Sequence, residues 1–252
     1  MPQADAIGDL RGRIIVITRP AGTATAFARQ VRAHGGVPLL LPGLALRAMA
    51  DAAQASAQLR AALREDALLL FTSPAAVRFA AALAPLRTRA AVLAVGQGTA
   101  AALRRHGLAA QAPAARQDSE GVLELPAWRE LRGHRVALIG APDGRGLLQQ
   151  RLADAGAHWR DVFVYCRTAP RLDRRHFDAV MALPASARVL LSSAQALAHL
   201  HERLPPAAWR RLCAATAVAS SERLACVARE AGFDRWRLAA SASATDLLIA
   251  AR

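Results

Sequence analysis

The chain repeats itself. Gly12-Arg13-Ile14-Ile15-Val16-Ile17-Thr18 near the start returns as Gly133-His134-Arg135-Val136-Ala137-Leu138-Ile139-Gly140, an offset of 133 − 12 = 121 positions. Gly35 and Gly156 stand 121 apart, and each closes a helix-like stretch. Residues 70–75 face 190–195 at an offset of 120, and 95–99 face 218–222 at 123. A period this long is no solenoid; it reads as two similar α/β halves. A duplicated α/β chain has a natural place for a ligand, between its copies.

Length and composition narrow the class. A chain of 252 residues is one large domain or two of ordinary size. A hydrophobic content of 54% against 21% charged residues is that of a globular protein. Apolar runs are broken by Arg, Pro or Gly before they could span a membrane. The segment 1–10 carries Asp5 and Asp9 and no apolar core, so it does not read as a secretory signal. Cys166, Cys213 and Cys226 share no metal-ligand spacing, which fits a reduced cytoplasm.

The net charge is +14, and every basic residue besides histidine is arginine. These arginines are dispersed, and aromatics make up only 4% of the chain, too few for a base-stacking platform. The charge therefore reads as codon bias that writes Arg for Lys and leaves scattered solvated charges, together with a small anionic ligand, rather than as a nucleic-acid surface.

Hydrophobic runs and turn residues predict strands over 14–18, 37–41, 67–71, 91–95, 136–139, 162–165, 189–191, 215–219 and 237–239. Helices are expected over 23–33, 52–64, 100–106, 144–155, 193–203, 221–231 and 245–251, with others opening at Ser73-Pro74 and at Ser119. Strands that alternate with helices imply parallel sheets with right-handed crossovers.

In such sheets a ligand lies beyond the carboxyl ends of the strands, against helix N-termini. The junctions that reach this edge are Thr18-Arg19, Thr72-Ser73, Gly96-Gln97-Gly98-Thr99, the loop from Gly140 to Arg145, Ser192-Ser193 and Ser220-Ser221. Each supplies a hydroxyl, a glycine backbone or a guanidinium. One serine before a helix is an ordinary cap; the repetition on one edge is the signal. Dinucleotide and P-loop spacings are absent, as are His-Glu-x-x-His and Cys-x-x-Cys motifs. Tyr165 is the only tyrosine; it ends the strand over 162–165, where its phenol could donate a proton or simply pack.

Taken in order, these segments resemble the uroporphyrinogen-III synthase family from about Gly12 to Ala250. The likeness is carried by Val16-Ile17-Thr18-Arg19-Pro20, Phe71-Thr72-Ser73, Val95-Gly96, Ser119-Glu120-Gly121, Tyr165, Ser192-Ser193 and Ser221-Glu222-Arg223-Leu224-Ala225. The loop 140–146 departs from it. Many relatives read Arg-Gly-x-Gly-Gly-Arg-Glu there; Arg145 is kept, while Gly140 replaces an arginine and Gly146 an acid. Ala219 stands where some relatives carry glycine.

The resemblance implies two parallel-sheet α/β domains joined by two strands, with the ligand cleft between them. One domain would be discontinuous, 1–40 plus 167–252, and the other, 41–166, inserted; the crossover strands would lie near 37–42 and 162–166. It implies a substrate, hydroxymethylbilane, a linear tetrapyrrole with eight carboxylates. Its closure to uroporphyrinogen III inverts the last ring through a spiro intermediate and needs no metal or cofactor. Tyr165 would assist departure of the hydroxyl. Thr18, Arg19, Thr72, Ser73, Gly96, Gly98, Thr99, Ser119, Arg145, Ser192, Ser193, Ser220 and Ser221 would bind carboxylates. A cytoplasmic monomer is expected, with no nucleic-acid or membrane partner and with transient contact to the upstream hydroxymethylbilane synthase. The rival readings are a non-catalytic two-domain binder of a polyanionic small molecule and a charge-driven nucleic-acid binder.

Overall fold

The structure is a computed structural model of the chain and describes residues 8–114, 116, 118–142 and 146–252. β1 (Ile14–Ile17) is a β-branched run whose last three residues are buried. α1 (Ala21–Ala33) buries Ala24, Phe27, Ala28 and Val31, the stripe of an amphipathic helix. β2 (Val37–Leu40) returns to pair parallel with β1. The chain continues through β3 (Ala45–Ala48), α2 (Ala52–Glu65), β4 (Leu68–Phe71), α3 (Pro74–Leu83), β5 (Ala91–Ala94), α4 (Gln97–Arg104) and α5 (Ser119–Leu123). Next come β6 (Arg135–Gly140), α6 (Leu147–Asp154), β7 (His158–Phe163), β8 (Tyr165–Thr168) and α7 (Arg174–Met181). The last elements are β9 (Arg188–Leu190), α8 (Ala194–Arg203), α9 (Pro206–Cys213), β10 (Thr216–Ala219), α10 (Glu222–Glu230), β11 (Arg235–Leu238) and α11 (Ala244–Ala250).

The chain divides into two units, Met1–Ala45 with Thr168–Arg252, and Leu46–Arg167. The first holds a parallel sheet in the order β11-β10-β9-β1-β2. Val16, Val189, Ala217 and Ala219 bury one face against α8, α9 and α10, while Ile15, Ile17, Leu190 and Val218 bury the other against α1 and α11. The second unit holds a parallel sheet in the order β5-β4-β6-β7. Leu69, Phe71, Ala137 and Ile139 face α2, α3 and α4; Leu68, Leu70, Val136 and Leu138 face the side of α5 and α6. Sheets covered on both faces explain why their strands read as continuous apolar runs.

The sequence repeat does not follow these units. Ile15 of β1 pairs with Arg188, and Val136 of β6 pairs with Leu68; the offsets are 136 − 15 = 121 and 188 − 68 = 120. Thus β1-β2 correspond to β6-β7, and β9-β10 to β4-β5. Each sheet takes one strand pair from the first copy and one from the second. The repeat reads as two similar halves because each half carries one strand pair for each sheet. The last stretch of the repeat also needs shifting: β5 ends at Ala94 and β10 at Ala219, an offset of 125 rather than 123.

The connecting strands lie later than expected. Val37–Leu40 stays in the first sheet and His158–Phe163 in the second. The passage runs instead through β3 and β8, which pair in their own two-stranded sheet. Pro42-Gly43 ends β2 before this passage, and at Gly43 a Cβ would lie 2.6 Å from both the carbonyl oxygen and Cβ of Ala196. Tyr165 accordingly opens β8 and does not end β7. α4 begins at Gln97, earlier than the predicted start at residue 100, because extended Gly96 serves as its N-cap.

Candidate active site

In each sheet the strand order reverses once, between β1 and β9 and between β4 and β6. These switch points are where parallel sheets open a crevice at their carboxyl ends.

In the first unit the crevice is laced by hydroxyls. Thr18, 1% exposed, donates from Oγ1 to the Leu190 carbonyl at 2.8 Å and accepts from the Ser192 amide at 3.0 Å. Ser192 Oγ donates back to the Thr18 carbonyl at 3.2 Å. Thr18 was expected to bind ligand; its hydroxyl is instead consumed in locking β1 to β9. Beside it, Ser193 caps α8 by accepting from the Ala196 amide at 3.1 Å, and Ser221 caps α10 by accepting from Leu224 at 3.3 Å. Ser192, Ser193, Ser220 and Ser221 line one cavity of about 150 Å³ with Arg223. Arg19 folds onto its own unit: its guanidinium lies 4.8 Å from the Phe27 ring centre, and Nη2 donates to the Ala242 carbonyl at 3.0 Å. Burial lowers its pKa from the ordinary arginine value.

The second unit repeats the lacing but leaves a larger opening. Thr72 Oγ1 donates to the Ile139 carbonyl at 3.2 Å, the counterpart of the Ser192–Thr18 bond. Gly140 lets this happen, since a Cβ there would sit 2.4 Å from Thr72 Oγ1. The loop's departure from the family pattern at this position thus has a steric partner. Beyond the strand ends lies a cavity of about 260 Å³ lined by Thr72, Ser119, Gly140, Gln149, Asp161 and Arg167, among others. Asp161 accepts from Gln149 Nε2 at 3.2 Å; burial raises its carboxyl pKa, and that bond partly opposes the shift. Gln149, Asp161 and Arg167 escaped the sequence reading. Asp161 sits in a strand that reads His158-Trp159-Arg160-Asp161-Val162-Phe163, and this mixed polarity gave no signal for it.

Ser73 and Tyr165 form one constellation. Ser73 Oγ accepts from the Ala76 amide at 3.0 Å, capping α3, and lies 3.2 Å from the Tyr165 phenol oxygen. Tyr165 is 3% exposed, and its ring stacks on Phe79 with centroids 5.3 Å apart. Packing thus fixes the ring, and Ser73 fixes its hydroxyl.

Gly96 caps α4 without a side chain, so the first-turn amides there keep no side-chain acceptor. Gly98 is open, its nearest neighbour to a Cβ being Pro74 Cγ at 3.7 Å. Thr99 is buried in the helix. Ser119 opens α5, which Asp118 caps through the Gly121 amide at 2.9 Å. Arg145 lies outside the described residues. Among the described residues no three His, Cys, Asp or Glu side chains are grouped to hold a metal ion, and no helix is long and apolar enough to cross a membrane.

The family model for uroporphyrinogen-III synthase HemD matches residues 25–249. A uroporphyrinogen-III synthase of Salmonella typhimurium is 31% identical over 248 residues, covering 93% of this chain and 98% of that protein. The Escherichia coli enzyme is 31% identical over 255 residues with the same coverage. Among solved structures, the Helicobacter pylori uroporphyrinogen-III synthetase superposes with a TM-score of 0.63 at 16% identity, over 94% of this chain and 96% of that one. A mutant Thermus thermophilus enzyme gives 0.56 at 22%, with the same coverage; at these identities both speak to the fold. The switch points, the hydroxyl-lined carboxyl edges and a match over most of the chain converge on one conclusion: this chain belongs to the uroporphyrinogen-III synthase family.

Proposed function

We propose that the chain is a uroporphyrinogen-III synthase, closing hydroxymethylbilane to the ring-inverted cyclic tetrapyrrole with loss of water. The family match over residues 25–249 carries this reading. The bond changes balance without a redox partner. The terminal C–O bond breaks, a proton is added to the departing hydroxyl, and the pyrrole nitrogen supplies the electron pair. The substituted carbon of the last ring then attacks the methylene carbon of the azafulvene, which closes the spiro intermediate. The spiro intermediate fragments and recloses in the inverted sense, and loss of a ring proton restores the pyrrole.

The substrate can also close unaided without inversion, so the protein's main task is to hold a flexible polyacid in one shape. Ser73, Ser193 and Ser221, with the first-turn amides of α3, α8 and α10, would receive carboxylates, as would the open amides at Gly96 and Gly98. Ser192, Ser220, Thr72 and Ser119 would add hydroxyls at the two cavities, and Arg19 a positive field. Thr18 and Thr99 would act from inside, by holding strand end and helix in place. Tyr165, oriented by Ser73, would donate to the departing hydroxyl. The enzyme would work as a cytoplasmic monomer without cofactor and take its labile substrate by transient contact with hydroxymethylbilane synthase.

The test is product analysis. Fresh hydroxymethylbilane is supplied, the products are oxidised, and isomers I and III are separated. Excess isomer III is expected. Isomer I alone, at the spontaneous rate, rejects the enzyme in favour of a binder.

A further inference from the structure

The amino ends of the two sheets differ in charge, and the duplication supplies the comparison. In the second unit Asp66, its side chain 1% exposed, precedes β4 and receives Arg160 Nε at 2.9 Å and Nη2 at 2.8 Å. Arg135 approaches the same carboxylate to 4.0 Å, and Glu65 stands 3.4 Å from Arg160. Two guanidiniums thus meet two carboxylates.

The corresponding position in the first unit, 66 + 120 = 186, is Ser186. Around it gather Arg188 of β9, Arg235 and Arg237 of β11, and Arg13. Among the described residues none of the four is ion-paired with an Asp or Glu. Register explains the grouping: Arg188 pairs with Thr216, and Thr216 with Arg235, across three parallel strands. In-register residues leave the same face about 4.8 Å apart, and Arg237, two further on, points the same way. With Ser186, Thr216 and the exposed carboxylate of Asp234, these three arginines line an open basin of about 510 Å³.

The present partners do not balance this charge. Arg188 is 9% exposed, and its Nε has no hydrogen-bond partner. Its Nη1 donates to the Ser186 carbonyl at 2.7 Å and to Thr216 Oγ1 at 3.3 Å. Arg235 donates to the carbonyls of Ala185 and Ala214. Arg237 Nη1 and Arg188 Nη2 donate to the main-chain oxygen of Arg252, at 2.6 and 3.4 Å. Counting that oxygen as a full carboxylate and Asp234 as a second still leaves four guanidiniums against two negative charges. Burial first, then the fields of Arg13, Arg237 and Arg235, lower the Arg188 pKa.

We infer that this basin binds a small tetrahedral oxyanion of the phosphate class, at the sheet edge opposite the hydroxyl-lined one. A planar carboxylate offers two oxygens to one fork. A phosphate offers oxygens to several forks and to the Thr216 hydroxyl at once.

The full chain is titrated calorimetrically with inorganic phosphate and, separately, with glycerol phosphate, against chloride of equal ionic strength. Saturable one-to-one binding is expected, and the tighter arm tells a free ion from a phosphomonoester. At ten times its Kd the ligand raises Tm by about 3–6 °C. Arg235→Gln with Arg237→Gln weakens binding at least tenfold. Arg60→Gln with Arg64→Gln, the same charge change on exposed α2 positions, leaves it intact. Formation of isomer III is unchanged in both variants, so this site and the assigned reaction fail separately. The inference is overturned if the control pair loses as much affinity, if the basin pair loses none, or if a nucleic-acid duplex saturates where phosphate does not. Absence of saturable heat from the unsubstituted chain at millimolar phosphate overturns it whether or not the variants fold.

Discussion

Single hydroxyls do two different jobs at the carboxyl edges. Some, such as Thr18, are spent on joining strands; others, such as Ser73, cap a helix while facing a second group. Tyr165→Phe keeps the Phe79 stack and removes the bond to Ser73, costing about 1 kcal/mol of stability. If the phenol supplies the proton, kcat falls about 100- to 10,000-fold with little change in KM; full turnover in Tyr165→Phe contradicts the role. Ser73→Ala loses an N-cap worth about 1 kcal/mol and lowers activity only modestly; steady-state kinetics on the folded variant check this. Asp161 gives a pH test. Its folded pKa is raised, so its stabilising contribution is present below the ordinary carboxyl value and is lost as pH rises through the raised one. At neutral pH the half-buried charge costs stability. Asp161→Asn is therefore expected to raise Tm at pH 7 and to lose that advantage near about pH 3, below the ordinary value. A Tm difference that ignores pH counts against this. The serines and threonines at strand ends were legible because Ser or Thr beside a helix start is a local pattern. That Thr18 and Thr99 are buried was not, because burial depends on the neighbouring strand and sheet.

Among elements, the doubly buried strands were the most legible. Leu68–Phe71 and Thr216–Ala219 are buried throughout and read as apolar runs. β3 and β8 are largely half-exposed and have no such run, so the passage between units was placed on stronger neighbours. α7 buries only Val180, and α9 depends on Pro206 at its start; neither pattern stood out from loop composition. Gly43 is where the passage can be tested. Its amide donates to the Thr18 carbonyl at 2.9 Å while α8 crowds its Cα. Gly43→Ala is expected to destabilise the protein by about 1–3 kcal/mol through overpacking, read as a lower urea midpoint. An unchanged midpoint would mean that the chain passes α8 with room to spare.

At the scale of the molecule, the repeat was plain in the sequence and the partition of its strands was not, because pairing partners 173 positions apart leave no local mark (188 − 15 = 173). A cut at the repeat boundary leaves each half with strand pairs from two different sheets. A fragment of residues 46–167 instead keeps the whole β5-β4-β6-β7 sheet with its covering helices. We expect that fragment to unfold cooperatively on its own, and fragments 1–125 and 126–252 to give no dispersed amide spectrum separately; a folded 1–125 would contradict the strand assignment. The same arrangement imposes an order on synthesis. The inserted unit leaves the ribosome complete, while Ile14–Ile17, among the first strands made, waits for the neighbour that will shield one of its edges. At about 5–20 residues per second that delay is roughly ten to thirty seconds, during which a nascent hydrophobic ribbon must be kept from straying by its own α1 and β2 or by a chaperone.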